Sequence, residues 1–461
     1  MSTALGRRLF GTDGVRGVVN QTFDPFFAVR LALAVGSYFP PGARALVGCD
    51  ARIGNPAVYN AVLSALAACG IKVYDAGYIP TPALQLAVRD LGFDFGVVVT
   101  ASHNPPEWVG LKLIASDGIE APREVEEEIE SIFHEQRFRY VPWHEIRSIE
   151  RYPYAIDYYV EHVKKMVDGE AIRRRRPKIV VDCANSVAAL TTPRILKELG
   201  AKVLTVNADL GYPFREYEPT PHSIDYLGSI VQSIGADFAV AHDGDGDRAI
   251  FVDNRGRFVP GDFSAVILIN YVDEKLRNVP KRVVTAVSTS HFLMEWNVVP
   301  RGIEIVWTRV GFINIARKIK ELGGALAGFE DNGGFAYVPH QLVRDGGMTA
   351  ALMTELISTK NVDLATLFDE IKKPIVIRTK IGIESREKGF KAVDYVKERY
   401  SGYRIIDIDG VKVISDEWAF HVRVSGTEPI IRIMVEGSDK DIVNRVLNEV
   451  KTLVEEALSR V

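Results

Sequence analysis

Short runs of apolar residues alternate with longer amphipathic stretches through most of the chain, the pattern of strands alternating with helices. The spacing predicts a helix over 26–39, a strand over 44–50 and a helix over 55–70 stopped by Gly70. A strand over 71–75, a helix over 81–91 and a buried strand over 96–99 follow, then a charged, solvent-facing helix over 123–138. The plan starts again with strand 177–182, helix 193–199, strand 201–206, helix 224–233 and strand 236–241. A third round has strands 283–287 and 303–307, helix 313–321 and a short strand 325–328. Alternation of this kind predicts α/β domains with mixed, mainly parallel sheets. Near 375 the order changes. A strand over 374–379 and a helix over 386–399 precede a hairpin, 403–408 with 410–414, turning at Asp409-Gly410. Strands 418–424 and 430–436 and a long amphipathic helix over 439–459 complete a C-terminal α+β domain with an antiparallel sheet. The expected boundaries are 1–150, 151–255, 256–370 and 371–461.

The first three rounds are an internal repeat. Asp94 opens DFGVVVTAS and Ser102 lies eight residues on; Asp237 opens DFAVAHDGD and Asp245 lies eight residues on. A glycine stands two residues before each aspartate, Gly92 and Gly235. In the third round the equivalent strand ends in Glu330 and Asp331. Three polar loops thus leave equivalent strand ends, where open α/β sheets keep their chemistry, and they are expected to line one cleft if the domains pack side by side.

Each loop carries a different chemistry. Ser102, in TASHNPP, is a candidate nucleophile beside His103, against the plainer reading of a turn serine bonded to its own backbone. Asp243, Asp245 and Asp247 alternate with glycines after a buried strand, so their oxygens can converge on a hard cation such as Mg²⁺. The loop fails as an EF-hand, because Arg248 and Asn254 stand where glycine and glutamate are required. As a dinucleotide fingerprint it lacks the following helix. A D-x-D phosphatase, with Asp243 as nucleophile, is the alternative. RVSGTEPIIR carries Arg423, Ser425, Gly426, Thr427 and Arg432, two guanidiniums and two hydroxyls around a glycine, a phosphate cradle. GFEDNGG offers Glu330 and Asn332 to sugar hydroxyls, and FGTDGVRG reads as a Gly-rich turn carrying Asp13 and Arg16.

Composition narrows the class. Of 461 residues 47% are hydrophobic and 25% charged, as in globular proteins, and a net charge of −4 argues against nucleic acid or an anionic membrane as partner. Arg173–Arg176 has no interleaved aromatics and reads as a solvated connection. Three widely spaced cysteines, Cys49, Cys69 and Cys183, fit neither a disulfide framework nor a zinc site. The N-terminal stretch lacks the apolar core of a signal peptide and no run approaches a membrane span, so a cytoplasmic protein is expected.

FGTDGVRG, TASHNP, DGDGDR, GFEDNGG and SGTEP, in this order and over essentially the whole chain, resemble the signatures of the α-D-phosphohexomutase superfamily, which includes phosphoglucomutase, phosphomannomutase and phosphoglucosamine mutase. The GFEDNGG form is similar to that of archaeal members. The resemblance implies a mutase that interconverts hexose or hexosamine 1- and 6-phosphates through a phosphoserine at Ser102 and a 1,6-bisphosphate that turns around in the cleft. It implies Mg²⁺ held by Asp243, Asp245, Asp247 and the Ser102 phosphoryl oxygen, with a glucose 1,6-bisphosphate-type activator to prime the serine. Arg16, His103, Lys112 and Arg248 would surround the phosphoserine, with Lys112 or His103 as general base. Arg423, Ser425, Gly426 and Thr427 would grip the phosphate not in transfer, with Arg432 and Arg344 also facing substrate, and Glu330 and Asn332 would bind the sugar 3- and 4-hydroxyls. The implied partner is a small phosphosugar, and the implied state a monomer or homodimer. Many members carry histidine where Gly334 stands, with Arg344 or His340 the candidates to compensate, and Cys49 stands where an arginine is often found. A non-catalytic phosphosugar-binding protein is the third reading; intact Ser102 and the aspartate triplet weigh against it.

Overall fold

The computed structural model describes residues 8–11, 13–426 and 428–460. The chain divides into two compact units: one runs to Ser264 and includes Asn332–Phe368, the other comprises Ala265–Asp331 and the chain from Asp369.

The first unit holds two sheets. In the first, β1 (Val15–Val18), β2 (Arg44–Cys49), β3 (Lys72–Tyr78), β4 (Phe95–Val99), β5 (Trp108–Ala115) and β6 (Ile149–Arg151) are ordered β1-β5-β4-β2-β3-β6. β2, β3, β4 and β6 are parallel neighbours; β5 runs antiparallel to β4 and β1 antiparallel to β5. The second sheet repeats this plan with β7 (Lys178–Asp182), β8 (Lys202–Val206), β9 (Phe238–Ala241), β10 (Ile250–Asp253) and β11 (Phe258–Val259), ordered β11-β10-β9-β7-β8. β7 pairs parallel with β8 and β9, and β10 antiparallel with β9.

FGTDGVRG is therefore more than a turn. Its second half is β1, laid along β5 with Arg16 opposite Gly110. β5 itself was not expected, because WVGLKLIA carries a lysine in the middle of an apolar run. The alternation of periods explains the rest. β4 reads FGVVV and is buried throughout, whereas the helix Pro25–Tyr38 is exposed at its start, is buried all round over Leu31–Gly36, and is capped by Asp24, whose side chain accepts from the Phe27 N–H at 2.7 Å.

The repeat is visible as hydrogen bonds. Asp94 grips the start of β2 at two points, its N–H on the Arg44 carbonyl and its carboxylate accepting the Arg44 N–H at 2.7 Å. Asp237 does the same to Lys178, its carboxylate also at 2.7 Å from that N–H. In the second unit the matching backbone bond runs from Leu326 to Arg282.

That unit contains β12 (Arg282–Ala286) with β13 (Glu304–Thr308) and β14 (Ala327–Phe329) parallel on either side; β15 (Phe335–Tyr337) falls in the first unit. It also holds the C-terminal sheet, β16 (Ile375–Gly382), β17 (Arg404–Ile406), β18 (Val411–Ile414), β19 (Trp418–Val424) and β20 (Ile430–Gly437), ordered β16-β20-β19-β18-β17 and antiparallel throughout. The Asp409-Gly410 hairpin is present as β17–β18. The helix Lys440–Arg460 buries Val443, Val446, Val450, Val454 and Ala457, one every three or four residues, and these join the core beside this sheet. The architecture is thus three related α/β domains followed by an antiparallel α+β domain. Among the described residues no helix is long and apolar enough to cross a membrane.

Two buried charges fasten the C-terminal sheet to the β12 region. Glu436 accepts from the His291 and Phe292 N–H groups at 2.8 and 3.3 Å and from the Ser290 hydroxyl. Lys412 donates to the Val287 and Thr289 carbonyls at 3.0 and 2.5 Å and lies over the Trp307 ring. Burial pushes the Lys412 ammonium down to about 8, with Glu436 opposing. Glu436→Ala removes the acceptor and leaves Lys412 without its countercharge, so it should lower the stability of the second unit by about 3 kcal/mol. Urea unfolding followed by tryptophan fluorescence checks this; an unchanged midpoint would contradict the assignment.

Candidate active site

The first unit brings the serine loop and the aspartate triplet together. Ser102 follows β4 in the left-handed backbone region, at φ 50°. That conformation is unfavourable for a residue with a Cβ and persists only where neighbours hold it. Here three bonds do so. The Ser102 N–H donates to Thr100 Oγ1 at 2.8 Å, its carbonyl accepts from the Arg52 guanidinium, and its hydroxyl donates to Asp243 Oδ2 at 2.8 Å. Arg52 is in turn aimed by Asp50 at 3.1 Å and by the Pro105 carbonyl at 2.7 Å, while Asp50 accepts from the Thr100 hydroxyl. Gly244 passes so close that a Cβ there would sit 2.5 Å from the Ser102 carbonyl.

Asp243, Asp245 and Asp247 are buried, and one oxygen from each lies within 4.8 Å of the others. Burial, together with repulsion from Asp247 and Asp245, raises the Asp243 carboxyl well above the usual range. Asp245 Oδ1 and Asp247 Oδ1 are enclosed and have no hydrogen-bond partner. Buried carboxylate oxygens left without donors, in an oxygen-only set, fit a hard divalent cation.

Three cations offset this charge, one from the same loop and two from distant stretches. Lys112, on β5, reaches Asp245 Oδ2 at 2.9 Å, Asp13 Oδ1 at 3.2 Å and Asp247 Oδ2 at 3.4 Å. Burial alone would lower its ammonium; Asp13, Asp245 and Asp247 outweigh that and raise it. Burial likewise pushes Asp245 up, and Lys112 holds it below the carboxylate range. Arg248 donates to Glu218 at 3.0 Å and to His103 Nδ1 at 2.8 Å, with its Nε 3.8 Å from Asp243. Arg344 lies 2.9 Å from Asp247 and 3.4 Å from Asp13. Arg16 stands one step back, paired with Asp13 and donating to Asn104 at 2.6 Å. Burial, then Arg248 and Arg16, push His103 down to about 2, so it is neutral; with Nδ1 accepting from Arg248 its proton sits on Nε2. Lys112 and His103, the expected general bases, are therefore both donors in this state.

Thr81, Arg52 and Glu218 belong to the site and were not foreseen. Thr81 opens a helix, and both its hydroxyl and its N–H bond Asp245, at 2.7 and 3.0 Å. Its only signal was its place after a strand end. Gly334 explains itself: a Cβ there would meet Arg344 Cδ at 2.4 Å, so the absent side chain is what lets Arg344 reach Asp247. His340 does not compensate. It is buried against Asp345, 2.8 Å from Oδ2. Asn332, also in this unit, accepts the Gly334 N–H at 3.0 Å.

The other candidates lie in the second unit. Glu330 accepts the Gly311 N–H at 3.1 Å. Arg423 and Arg432 are direct cross-strand neighbours on β19 and β20. Arg423 Nη1 is 4.0 Å from Asp409, and Arg432 is 2.6 Å from Glu428. Burial, and then Arg432, lower the Arg423 pKa against the pull of Asp409, Glu330 and Asp331. The Ser425 N–H bonds the Ile430 carbonyl, its hydroxyl accepts from the Glu428 N–H at 3.3 Å, and the Gly426 carbonyl accepts from Arg386. Thr427 lies outside the described residues.

Four family descriptions match the chain in succession: phosphoglucomutase/phosphomannomutase α/β/α domain I over residues 7–140, domain II over 157–256, domain III over 260–374 and the C-terminal domain over 379–453. A phosphoglucosamine/phosphogalactosamine mutase from Sulfurisphaera tokodaii is 43% identical, with 97% of this chain and 99% of the relative covered. A phosphoglucomutase/phosphomannomutase from Thermococcus kodakarensis is 38% identical over 98% and 99%. The crystal structure of a phosphoglucomutase/phosphomannomutase family protein from Burkholderia thailandensis shares the fold, with a TM-score of 0.86 at 24% identity over 98% of this chain and 97% of that one. With four domains matched in order and full-length relatives above 30% identity, the chain belongs to the phosphoglucomutase/phosphomannomutase family of the α-D-phosphohexomutase superfamily.

Proposed function

We propose that this protein interconverts the 1- and 6-phosphates of a hexose or hexosamine, with Ser102 as the phosphoryl carrier. The observation that supports this most directly is the Ser102 hydroxyl, turned out of a strained bend and bonded at 2.8 Å to the first aspartate of the triplet. Relatives named for glucosamine and galactosamine phosphates and for glucose and mannose phosphates bound the substrate class.

Asp243, Asp245 and Asp247 would hold Mg²⁺, which when bound neutralises phosphoryl charge. The work left to the chain is positioning and charge, as a loose phosphoryl transition state asks. Lys112, Arg248 and the Nε2–H of His103 donate to the phosphoryl oxygens. Arg423, Ser425 and the Gly426 backbone, with Arg432, hold the phosphate not in transfer. Glu330 and Asn332 accept from the sugar hydroxyls. A 1,6-bisphosphate formed on transfer from Ser102 then returns its other phosphoryl group to the serine, and a bisphosphate activator primes the enzyme. The alternative, a Mg²⁺-dependent phosphatase with Asp243 as nucleophile, needs the same ionised carboxylate, so the reaction product distinguishes the two.

With Mg²⁺, glucose 1-phosphate and a trace of glucose 1,6-bisphosphate, phosphorus NMR should show conversion to a 6-phosphate without inorganic phosphate. Stoichiometric inorganic phosphate would promote the phosphatase. Ser102→Ala should cut turnover by about 10³-fold or more; largely intact activity would sink the carrier role.

Mg²⁺ affinity should rise with pH. In the metal-free site Asp243 holds a proton above the usual carboxylate range, the cation competes for the ionised form, and binding releases that proton. Titration calorimetry in two buffers of different ionisation enthalpy should find proton release and up to about tenfold tighter binding per pH unit below that pKa. A pH-independent affinity would argue that the triplet is ionised without metal.

A further inference from the structure

Behind Arg344 runs a chain of titratable side chains that the chemistry above does not use. His340 is buried, with Nε2 2.8 Å from Asp345 Oδ2. On its other side, Nδ1 lies 3.0 Å from Nδ1 of His162, on the helix Tyr154–Lys165. Asp345 also accepts from the Tyr159 hydroxyl, from Gln341 Nε2 at 2.7 Å and from the Met348 N–H at 2.9 Å. A carboxylate that already takes these three donors, and is acceptor-only, makes His340 Nε2 a donor as well. The Nδ1 of neutral His340 is then an acceptor, and His162 must present Nδ1–H.

Asp345 caps the helix Gly346–Lys360 and sits between two residues that touch the triplet loop. Arg344 pairs with Asp247, and the Gly346 N–H bonds the Gly246 carbonyl at 3.3 Å. Gly346 has no slack, since a Cβ there would be 2.4 Å from the Arg248 carbonyl. The helix Tyr154–Lys165 therefore grips Asp345 at two points, directly through Tyr159 and through His340 from His162.

We propose that His162 and His340 are positioning residues whose shared hydrogen bond sets Arg344 and Gly346 against the aspartate loop, and that this bond tolerates one added proton but not two. The first proton goes to His162 Nε2 and leaves Nδ1–H pointing at His340. The second must go to His340 Nδ1. Two N–H groups then face each other across 3.0 Å, and the pair opens. The groups facing the pair set where this happens. Asp345 and the Tyr159 hydroxyl face His340 through its carboxylate side. Burial and then the charge of His340 oppose charge on His162, Asp90 favours it, Arg89 and Lys165 oppose it further, and the Tyr158 ring packs beside it. With Mg²⁺ held saturating at every pH, so that the Asp243 proton does not limit turnover, the consequence is an acid limb that belongs to this pair.

The activity arm rests on the mutase reading; the spectroscopic arm does not. His162→Gln keeps an amide that can donate to or accept from His340 Nδ1, so the contact survives protonation. The full-length variant should match wild-type kcat within about twofold at pH 8 and carry its acid limb about one pH unit lower or more. An unchanged limb, or an equal loss of kcat at every pH, would overturn the proposal. Selective ¹⁵N-histidine NMR of the wild-type protein at pH 8 should find His340 as the Nε2–H and His162 as the Nδ1–H tautomer. The opposite tautomer at His340 would overturn it even where the variant fails to fold. A wild-type protein with these tautomers but no mutase turnover would overturn the proposed activity and leave the hydrogen-bonded pair standing.

Discussion

Three carboxylates crowded out of water are the constraint around which the first unit is built. Like charges in a poorly solvated space repel strongly, and the repulsion must be met by protons, by protein cations or by a metal. Asp243 meets it by a carboxyl raised well above the usual range, Asp245 by Lys112, Asp247 by Arg344 and more distantly by Lys112. The cations arrive from β5, from the turn after β9 and from the residue before the cap of the helix Gly346–Lys360. Their backbones must therefore come very close, and that is where glycine is required. Gly244 lies against the Ser102 carbonyl, Gly346 against the Arg248 carbonyl, and Gly334 against the side chain of Arg344. Each contact leaves no room for a Cβ, so these glycines are packing decisions made by the charge cluster rather than by turns.

A second rule recurs in all three α/β domains. A polar side chain at or beside the end of the central strand holds the backbone of the loop leaving the neighbouring strand. Asp50, just after β2, aims Arg52 at the Ser102 carbonyl. Asp182, at the end of β7, aims Arg215 at the His242 carbonyl, with distances of 2.8 and 2.6 Å along that path. On β12 the Thr285 hydroxyl donates directly to the Phe329 carbonyl, one residue before Glu330. The braces match bonding capacity to task. The serine and aspartate loops each receive a fully buried acid–guanidinium pair, and the Glu330 loop one neutral hydrogen bond. Rigid strand ends carrying loops of different chemistry are how one repeated scaffold can present a serine, a carboxylate cluster and a glutamate at equivalent places.

The division into two compact units cuts across the four domains. Residues 265–331 group with the C-terminal sheet, while β15 and the helix Gly346–Lys360 group with the first two domains. The reason lies in what each segment buries. Helix Gly346–Lys360 follows Arg344 and Asp345, which the aspartate loop and the helix Tyr154–Lys165 claim. The β12 strand end is claimed by Glu436 and Lys412. The third domain is thus divided between the unit that holds the aspartate loop and the unit that holds the C-terminal sheet.

By itself the sequence determined the class, the repeat and the loops that carry chemistry. Hydrophobic period and glycine stops are local properties, and an eight-residue interval from Asp94 to Ser102 and from Asp237 to Asp245 survives because each aspartate clasps the neighbouring strand in the same way. The five motifs were sufficient for the family. Tertiary structure alone decided β5, where Lys112 interrupts an apolar run because buried carboxylates two loops away stabilise its charge. It decided that Arg344 fills the space left by Gly334 while His340 turns away to Asp345. It also placed Thr81, Arg52 and Glu218 in the site. Those assignments depend on which side chains meet in space, from thirty residues apart for Glu218 and Arg248 to 164 for Thr81 and Asp245, and local pattern holds no record of such partners, whereas the free energy of a buried charge depends on little else.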